Sequence, residues 1–539
     1  MLSNISRFLF QQWQLHPLRA ILIAALILRM LAVFFAPGYM MHDDHFLTIE
    51  PSASWANGKN FNNWLPGIGN TNAHPEPISF FYLGFLYLVF STLQFFGIEN
   101  PETQMVLIRA IHAFYSLLTI YFAYKITERI SNSGNARIVG LLLAFMAIMP
   151  NFSVRNLVEF VCMPPLLAGM WLLLCYVPLR DVRFGSLKIE GTAFENKSQT
   201  HWIKLLLAAF IMGLAVGIRF QTGLFVAIVG AVLLVQHSFK SAFLFGVVSF
   251  SAFFLTQIDD VLLWGGQPFQ HLRGYFEYNK KNALNYPGSP LAYLSFIGIF
   301  ILPPVSIFLT IGFFRQWKKL SIIVLPTLAF LLFHCLYPNK QERFILPILP
   351  FFVMAGVIGW NELPLKRIIG KWNGIGWKMF WVINSVAMMV LCFTHSKRSR
   401  VEAMSYLYER GDCNNFILEF THSSSGAMMP QFYSDCWTTY YYFKSGYPVD
   451  GVMRNVEHED RITADNIMPR SLPNYILFYD DEQLNERVAR MQRYYPQLTR
   501  CTTIESGWFD KMLNALNPKN TLEKIHIYTI GKPTAPVFP

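Results

Sequence analysis

The stretch AILIAALILRMLAVFFAP, residues 20–37, holds a single charge, Arg29, in eighteen positions. A run of this length is close to the roughly 20 apolar residues needed to cross a bilayer. No small-residue cleavage site follows it, so we read it as a retained membrane helix rather than a removable leader. HDDHFLTIE, residues 42–50, comes next, with two carboxylates flanked by two imidazoles and closed by Glu50. Whether the chain repeats this pattern of greasy run and polar connector decides its fold.

It does. Of 539 residues, 53% are hydrophobic and only 14% charged, against about 25% charged in an ordinary soluble domain. Further apolar runs fall near 78–97, 106–124, 137–150, 158–177, 202–218, 222–236, 241–257, 291–314, 320–337, 343–360 and 379–395. The fold class is therefore a polytopic α-helical membrane protein. The net charge of +11 would suggest nucleic acid in a soluble chain. Here the basic residues sit at helix ends and form no stripe, so they read as cytoplasmic flanks of membrane segments and nucleic-acid binding is excluded.

Lys and Arg also set the orientation. Arg7 and Arg19 place the N-terminus inside, and loop 38–77, with Lys59 as its one basic residue, outside. Lys125, Arg129 and Arg137 belong inside, which requires that one of the runs 78–97 and 106–124 does not cross. The aromatic run 78–97, after HPEP, suits a juxtamembrane or half-inserted helix. About eleven spanning helices then alternate consistently, with loop 178–201 inside and loops 151–157, 258–290 and 338–342 outside. Residues 1–395 form the transmembrane catalytic domain. Residues 396–539 form a small extracytoplasmic α/β domain: FILEF, YILFY and IHIYTI read as strands and 481–494 as a helix. Cys413 and Cys436 in that domain are close enough in sequence for a disulfide in an oxidising compartment, which spacing alone does not establish.

Chemistry concentrates in the outer loops. If 42–50 is one helix, Asp43, Phe46 and Glu50 share a face, with the carboxylates about 10 Å apart. With Asp44, His45, His74 and Glu76, this is an acid–imidazole set beside low dielectric, suited to a general base. The same residue types ligate divalent metals, although HxxH without a third fixed ligand is a weak signature. SVRNLVEF places Arg155 and Glu159 at i, i+4. Arg219 and Gln221 mark the outer end of a run, and Arg is the planar partner of phosphate oxygens. NKQERFILPILP, residues 339–350, supplies Lys340, Glu342 and Arg343, with Pro347 and Pro350 bending the run behind them. Acids in one outer loop and cations in others fit a reaction that activates a hydroxyl while steadying a departing phosphate. No Walker-type loop and no HExxH occur. A transporter or flippase, or a ligase of lipid-linked saccharides, is the competing reading; the one-sided distribution of charge and the lack of an internal repeat count against transport.

DDHFLTIE resembles the DEHxxSLE-type motif in the first lumenal loop of the mannosyltransferases that build glycosylphosphatidylinositol anchors and N-glycan precursors, and NKQERFILPILP resembles their HKExRFxxPxxP motif. The block from HPEPISFFYLGF to NFSVRNLVEF is similar to bacterial protein mannosyltransferase-like and aminoarabinose-transferase-like enzymes. All are GT-C glycosyltransferases, and the resemblance spans roughly residues 18–360. It implies an inverting transfer of a mannose-like hexose from a polyprenyl-phosphate donor to a lipid-, glycan- or protein-linked hydroxyl at the extracytoplasmic face of a bacterial inner membrane, the endoplasmic reticulum being the alternative. It also implies Asp43 as base, with Asp44 standing where the family has Glu. His45, Glu50, Glu159, Arg343, Phe344, Pro347 and Pro350 match. Asn339 replaces the motif's His and Gln341 its Glu, which points to a divergent subfamily. No cofactor is implied with certainty, a divalent metal remaining open.

Overall fold

The computed structural model describes residues 11–62, 64–65, 78–177, 200–263, 266–364, 369–420, 428–438, 440–444, 473–518, 520 and 522–531. His74 and Glu76 lie outside the described residues. The chain forms two compact units. One comprises Met1–Phe34, Pro77–Tyr82 and Arg109–Phe393; the other comprises Phe35–Glu76, Leu83–Ile108 and Thr394–Pro539.

The first unit is helical. Among the described residues, six helices are long and apolar enough to cross a membrane: Pro17–Phe35, Pro101–Ile130, Val158–Tyr176, Phe239–Leu262, Glu342–Asn361 and Lys371–Cys392. Ala292–Ile301 and Val305–Arg315 form a pair bent by 119°. The break falls at Pro303 and Pro304, two successive residues without the N–H that a continuing helix requires. Five shorter apolar helices complete the set: Phe80–Phe95, Ser133–Phe145, Trp202–Ile218, Thr222–Gln236 and Ser321–Leu336. Large apolar side chains such as Ile23, Ile27, Phe250 and Val382 are exposed on these helices, as lipid-facing residues must be.

Burying a helix among others in lipid offers little hydrophobic gain, so close backbone approach and polar contacts hold the bundle. Gly312 on Val305–Arg315 faces Gly356 and Gly359 on Leu349–Asn361, and a Cβ at any of the three would fall on partner backbone. Gly213 and Gly217 of Thr200–Ile218 make the same approach to Ser249, Ala252 and Thr256. Arg29, the lone charge of the first run, is fully buried. Its Nε donates to Ser116 Oγ at 2.8 Å, and its Nη atoms donate to the carbonyls of Ala25 and Leu143. It is a three-way clamp between helices, the use to which membrane-buried polar groups are commonly put.

The second unit contains the first loop and the C-terminal domain. Five strands, β1 (Phe416–Phe420), β2 (Tyr441–Lys444), β3 (Tyr475–Tyr479), β4 (Thr499–Ile504) and β5 (Ile525–Thr529), pair in the order β2-β1-β3-β5-β4. The contacts β1–β2 and β1–β3 are parallel; β3–β5 and β5–β4 are antiparallel. β1, β3 and β5 are buried at every position, as strands covered on both faces should be. The three strands and the helix (Leu484–Gln492) expected from the sequence are present, and two further strands join them. Glu419 on β1 is buried, and Arg487 on that helix donates to it through Nε at 2.7 Å. Cys413 and Cys436 are free thiols, with Cys436 Sγ 3.4 Å from the Cys413 carbonyl oxygen.

Candidate active site

The first-loop acids do not lie on one helix. His42–His45 forms a four-residue turn, residues 46–48 form a second turn, and a new helix runs Ile49–Ala56. The single face expected for Asp43, Phe46 and Glu50 is therefore lost. The break is built by Asp44, whose two carboxylate oxygens accept the backbone N–H groups of Met40 (3.0 Å) and Met41 (3.1 Å). That fixes where the short helix begins, as an N-terminal cap does. Thr48 Oγ1 donates to the Asp44 carbonyl and closes the turn. Asp44 is buried and committed to backbone; Asp43 is half-buried, with part of its surface open.

His45 and Glu50 are buried against each other, Nε2 to Oε1 at 3.2 Å. The Glu50 carboxylate also accepts the Phe432 backbone N–H at 3.0 Å. The imidazole is sandwiched between Tyr39 and Tyr433, with ring centroids 4.8 and 5.5 Å away. Neither group is open to an incoming substrate; they lock the loop to the 431–433 turn within the second unit. Among the described residues, the first-loop acids and imidazoles do not gather into a group of three metal-type ligands.

In the first unit, three helix ends deliver charge to one point. Glu159 sits on Val158–Val161, Arg219 follows Thr200–Ile218, and Arg343 lies on the 3-10 turn Glu342–Ile348. The i, i+4 relation of Arg155 and Glu159 does not occur, because residues 153–157 separate two helices. Instead Glu159 Oε1 meets Arg219 Nη1 at 2.9 Å and Arg343 Nε at 3.6 Å. Glu159, Arg219 and Arg343 are 2%, 9% and 7% exposed. The Phe344 ring lies near both guanidiniums, 5.4 Å from Arg219 Cζ and 5.6 Å from Arg343 Cζ, within cation–π range. Among the described residues, Arg219 Nε and Nη2 and the neighbouring Gln221 Oε1 are buried without hydrogen-bond partners. A buried guanidinium with idle donors is costly, and an oxyanion such as a carboxylate or phosphate would satisfy it.

Tyr275, on the helix Gln270–Lys281, packs against Phe220 at 5.4 Å. Burial pushes its hydroxyl up to about 12, with Arg219 pulling down and Glu159 pushing up. Nothing in its sequence context distinguished this tyrosine. Lys340 has another task than the expected phosphate contact. Its Nζ donates to the carbonyls of His334 and Cys335, both at 2.7 Å, and to that of Tyr337. It caps the orphan carbonyls at the end of Ser321–Leu336. Glu342 is half-buried beside Arg343. Pro347 lies within the 3-10 turn and Pro350 in the first turn of Leu349–Asn361, where a missing N–H costs nothing.

A multi-pass helical unit with charged helix ends, joined in one chain to a small sheet-bearing domain, has the GT-C fold of membrane glycosyltransferases. ArnT from Cupriavidus metallidurans bound to undecaprenyl phosphate matches with a TM-score of 0.54 over 95% of this chain and 97% of that one, at 12% identity. The Archaeoglobus fulgidus oligosaccharyltransferase in the apo form matches with a TM-score of 0.50 over 86% and 70%, also at 12% identity. At such identities the likeness establishes the fold alone. The chain belongs to the Alg9-like mannosyltransferase family, whose model matches residues 20–427. GPI mannosyltransferase 3 of Yarrowia lipolytica is 22% identical over 385 residues, which cover 69% of this chain and 66% of that protein. The match thus spans just under two thirds of that relative's length.

Proposed function

We propose that the chain is an inverting hexosyltransferase that moves a mannose-like sugar from a polyprenyl-phosphate donor to a hydroxyl on a lipid, glycan or protein acceptor at the extracytoplasmic membrane face. The observation that carries this reading is the buried Glu159–Arg219–Arg343 cluster, in which Arg219 Nε and Nη2 have no hydrogen-bond partner among the described residues. It is an anion grip of net charge +1, at helix ends, in a chain of the mannosyltransferase family. A phosphate is the anion that the transfer releases. Undecaprenyl phosphate bound to the neighbour ArnT supports a polyprenyl donor here. The acceptor oxygen attacks the anomeric carbon, the bond from that carbon to the phosphate oxygen breaks with its electron pair, and the hydroxyl proton passes to Asp43. Asp43 is favoured over Asp44 because the latter's oxygens already hold two backbone N–H groups. Polyprenyl phosphate leaves as an anion, held by Arg219 and Arg343, so no separate acid is required. The bacterial resemblance of the middle block favours the inner membrane with the site toward the periplasm; the Yarrowia relative favours the endoplasmic reticulum instead.

Mass spectrometry of purified full-length protein with polyprenyl-phosphate hexose and a membrane glycan extract tests the assignment. Release of polyprenyl phosphate together with a new glycoside is expected from the wild type. Asp43→Asn should lower turnover by about 10²–10⁴-fold, the usual contribution of a general base. Normal turnover by the variant would remove Asp43 as the base, and no transfer from any donor by well-folded wild type would remove the reaction.

A further inference from the structure

A second group of ionisable side chains lies in the first unit, away from the phosphate grip. Asp259 and Asp260 occupy the last turn of the span Phe239–Leu262, and His271 is the second residue of the helix Gln270–Lys281. One ligand-type atom from each lies within 4.8 Å of the others. Asp260 and His271 are 0% and 1% exposed, and Asp259 is half-buried. Asp260 Oδ1 accepts the His271 backbone N–H at 3.3 Å and makes a short contact with its Nδ1. Asp259 Oδ2 stands 3.7 Å from the same nitrogen. The Phe80 ring covers the imidazole with a centroid distance of 4.4 Å.

The charges do not close. With both carboxylates ionised, one negative charge is left over even when the histidine is protonated. Among the described residues, Asp259 Oδ2 and Asp260 Oδ2 are both buried without a hydrogen-bond partner. Of the cations on the same helix, Lys280 and Lys281 lie in its last turn, and Arg273, the one nearest in sequence, donates to Gln267 Oε1 at 2.9 Å. Buried uncompensated carboxylate is expensive and is ordinarily paired or bound to metal. Two hard oxygens with one imidazole nitrogen suit a borderline divalent ion such as zinc or manganese.

We propose that Asp259, Asp260 and His271 form a divalent-cation site that ties the helix Gln270–Lys281 to the end of the span Phe239–Leu262. The site is structural rather than catalytic. Its effect on the reaction passes through Tyr275, one turn beyond His271, whose neighbours are Phe220 and the charges of Arg219 and Glu159. Metal occupancy would thus fix one wall of the phosphate grip while touching no reacting atom. The metal assignment stands on its own geometry and does not depend on the donor's identity.

Full-length protein, purified in detergent without a histidine tag and stripped by chelator, is titrated with zinc alone and with manganese alone. Retained metal is measured by elemental analysis after gel filtration, and thermal unfolding is followed with each ion. About one equivalent of one of the ions should be retained and should raise the unfolding temperature, as a ligand of the native state must. Asp260→Asn and His271→Ala should weaken retention by at least about tenfold. Asp259→Asn, at a half-buried position that tolerates substitution better, should do the same, and it decides the matter if the buried variants do not fold. Failure of wild type to retain either ion, or full retention by Asp259→Asn, would overturn the site. Because the readout is metal and not turnover, this failure is distinct from failure of the transferase reading.

Discussion

Replacing Glu159 with Gln keeps the shape of the anion grip and removes its one negative charge. The carboxylate sits 2.9 Å from Arg219 and 3.6 Å from Arg343. At an effective dielectric near 20, each contact is a gross attraction on the order of 5 kcal/mol. Desolvation offsets most of this, yet removing one partner of a buried pair costs about 3–5 kcal/mol, because the remaining charge stays buried and uncompensated. Here two guanidiniums are left uncompensated beside each other. Glu159→Gln should therefore unfold at a clearly lower temperature than wild type in ligand-free detergent. Polyprenyl phosphate should restore more stability to the variant than to the wild type, since its phosphate replaces the missing charge. Ligand at 100 times its dissociation constant contributes about 2.7 kcal/mol, so most of the deficit should be recovered. The assay is thermal unfolding of both proteins with and without polyprenyl phosphate, neutral polyprenol serving as the control. Equal stabilisation by phosphate and by polyprenol, or an unfolding temperature unchanged in the variant, would refute the grip.

Lys340→Met should leave donor KM and kcat unchanged and cost about 1–2 kcal/mol of stability, because its ammonium caps helix carbonyls; a raised donor KM at unchanged stability would return Lys340 to the donor site. Asp44→Asn should loosen the first loop, since an amide offers one acceptor oxygen where two N–H groups now bond to two. Limited proteolysis should then cut near residues 40–50 in Asp44→Asn and not in Asp43→Asn, and equal protection of the two would contradict the capping role. Acid should weaken the second unit through Glu523. Burial raises its carboxyl pKa, but Arg400 and Lys397 outweigh this and hold it below the usual carboxylate value. With the folded pKa below the unfolded one, about 4.3, the pair's stabilisation is present above that pH and lost as pH falls through the folded value. In thermal unfolding between about pH 5 and 3, Arg400→Gln should lack the part of the acid-induced loss that wild type shows; identical profiles would remove Glu523 from the account.

The spans were legible where composition alone decides them. Residues 158–177 became the helix Val158–Tyr176, and 343–360 became Glu342–Asn361. The run 106–124 understated its helix, which continues from Pro101 to Ile130 through Glu102 and Arg129. Charge ends an apolar window without ending a helix. The strands β1, β3 and β5 were legible because central strands are mostly apolar, Glu419 of β1 and His526 of β5 notwithstanding; β2 and β4 lie at the sheet's edges, where that signal fades. For the site, residue type located the loops but not the partners. Glu159 reads naturally as the mate of Arg155, four residues away, yet it pairs with Arg219 and Arg343. Separations of 60 and 184 residues leave no trace in a local pattern. Lys340 and Arg343 looked alike in NKQERF. What separates them is reach: the Lys340 ammonium falls back on the helix it follows, while Arg343 starts the next one and points at Glu159.

The same logic explains why an anion grip carries a carboxylate at all. Two buried guanidiniums facing each other in low dielectric would unfold or draw in any passing anion. In the proposed grip, Glu159 would hold them in register between turnovers at a resting charge of +1, low enough to be tolerated over the Phe344 face and high enough to attract phosphate. Arg219 Nε and Nη2 have no partner among the described residues, so on the proposed reading a phosphate arriving at them would not have to displace Glu159 to bind. On the same reading release would be eased, since the carboxylate remains to repel a second negative charge. Close packing at Gly213 and Gly217 sets how far Arg219 stands from the other two. Any side chain larger than hydrogen at Gly217 would meet Thr256 and shift the helix end that carries the arginine. The geometry of an electrostatic site at the end of a membrane helix is thus fixed within the bilayer, by glycines that carry no charge.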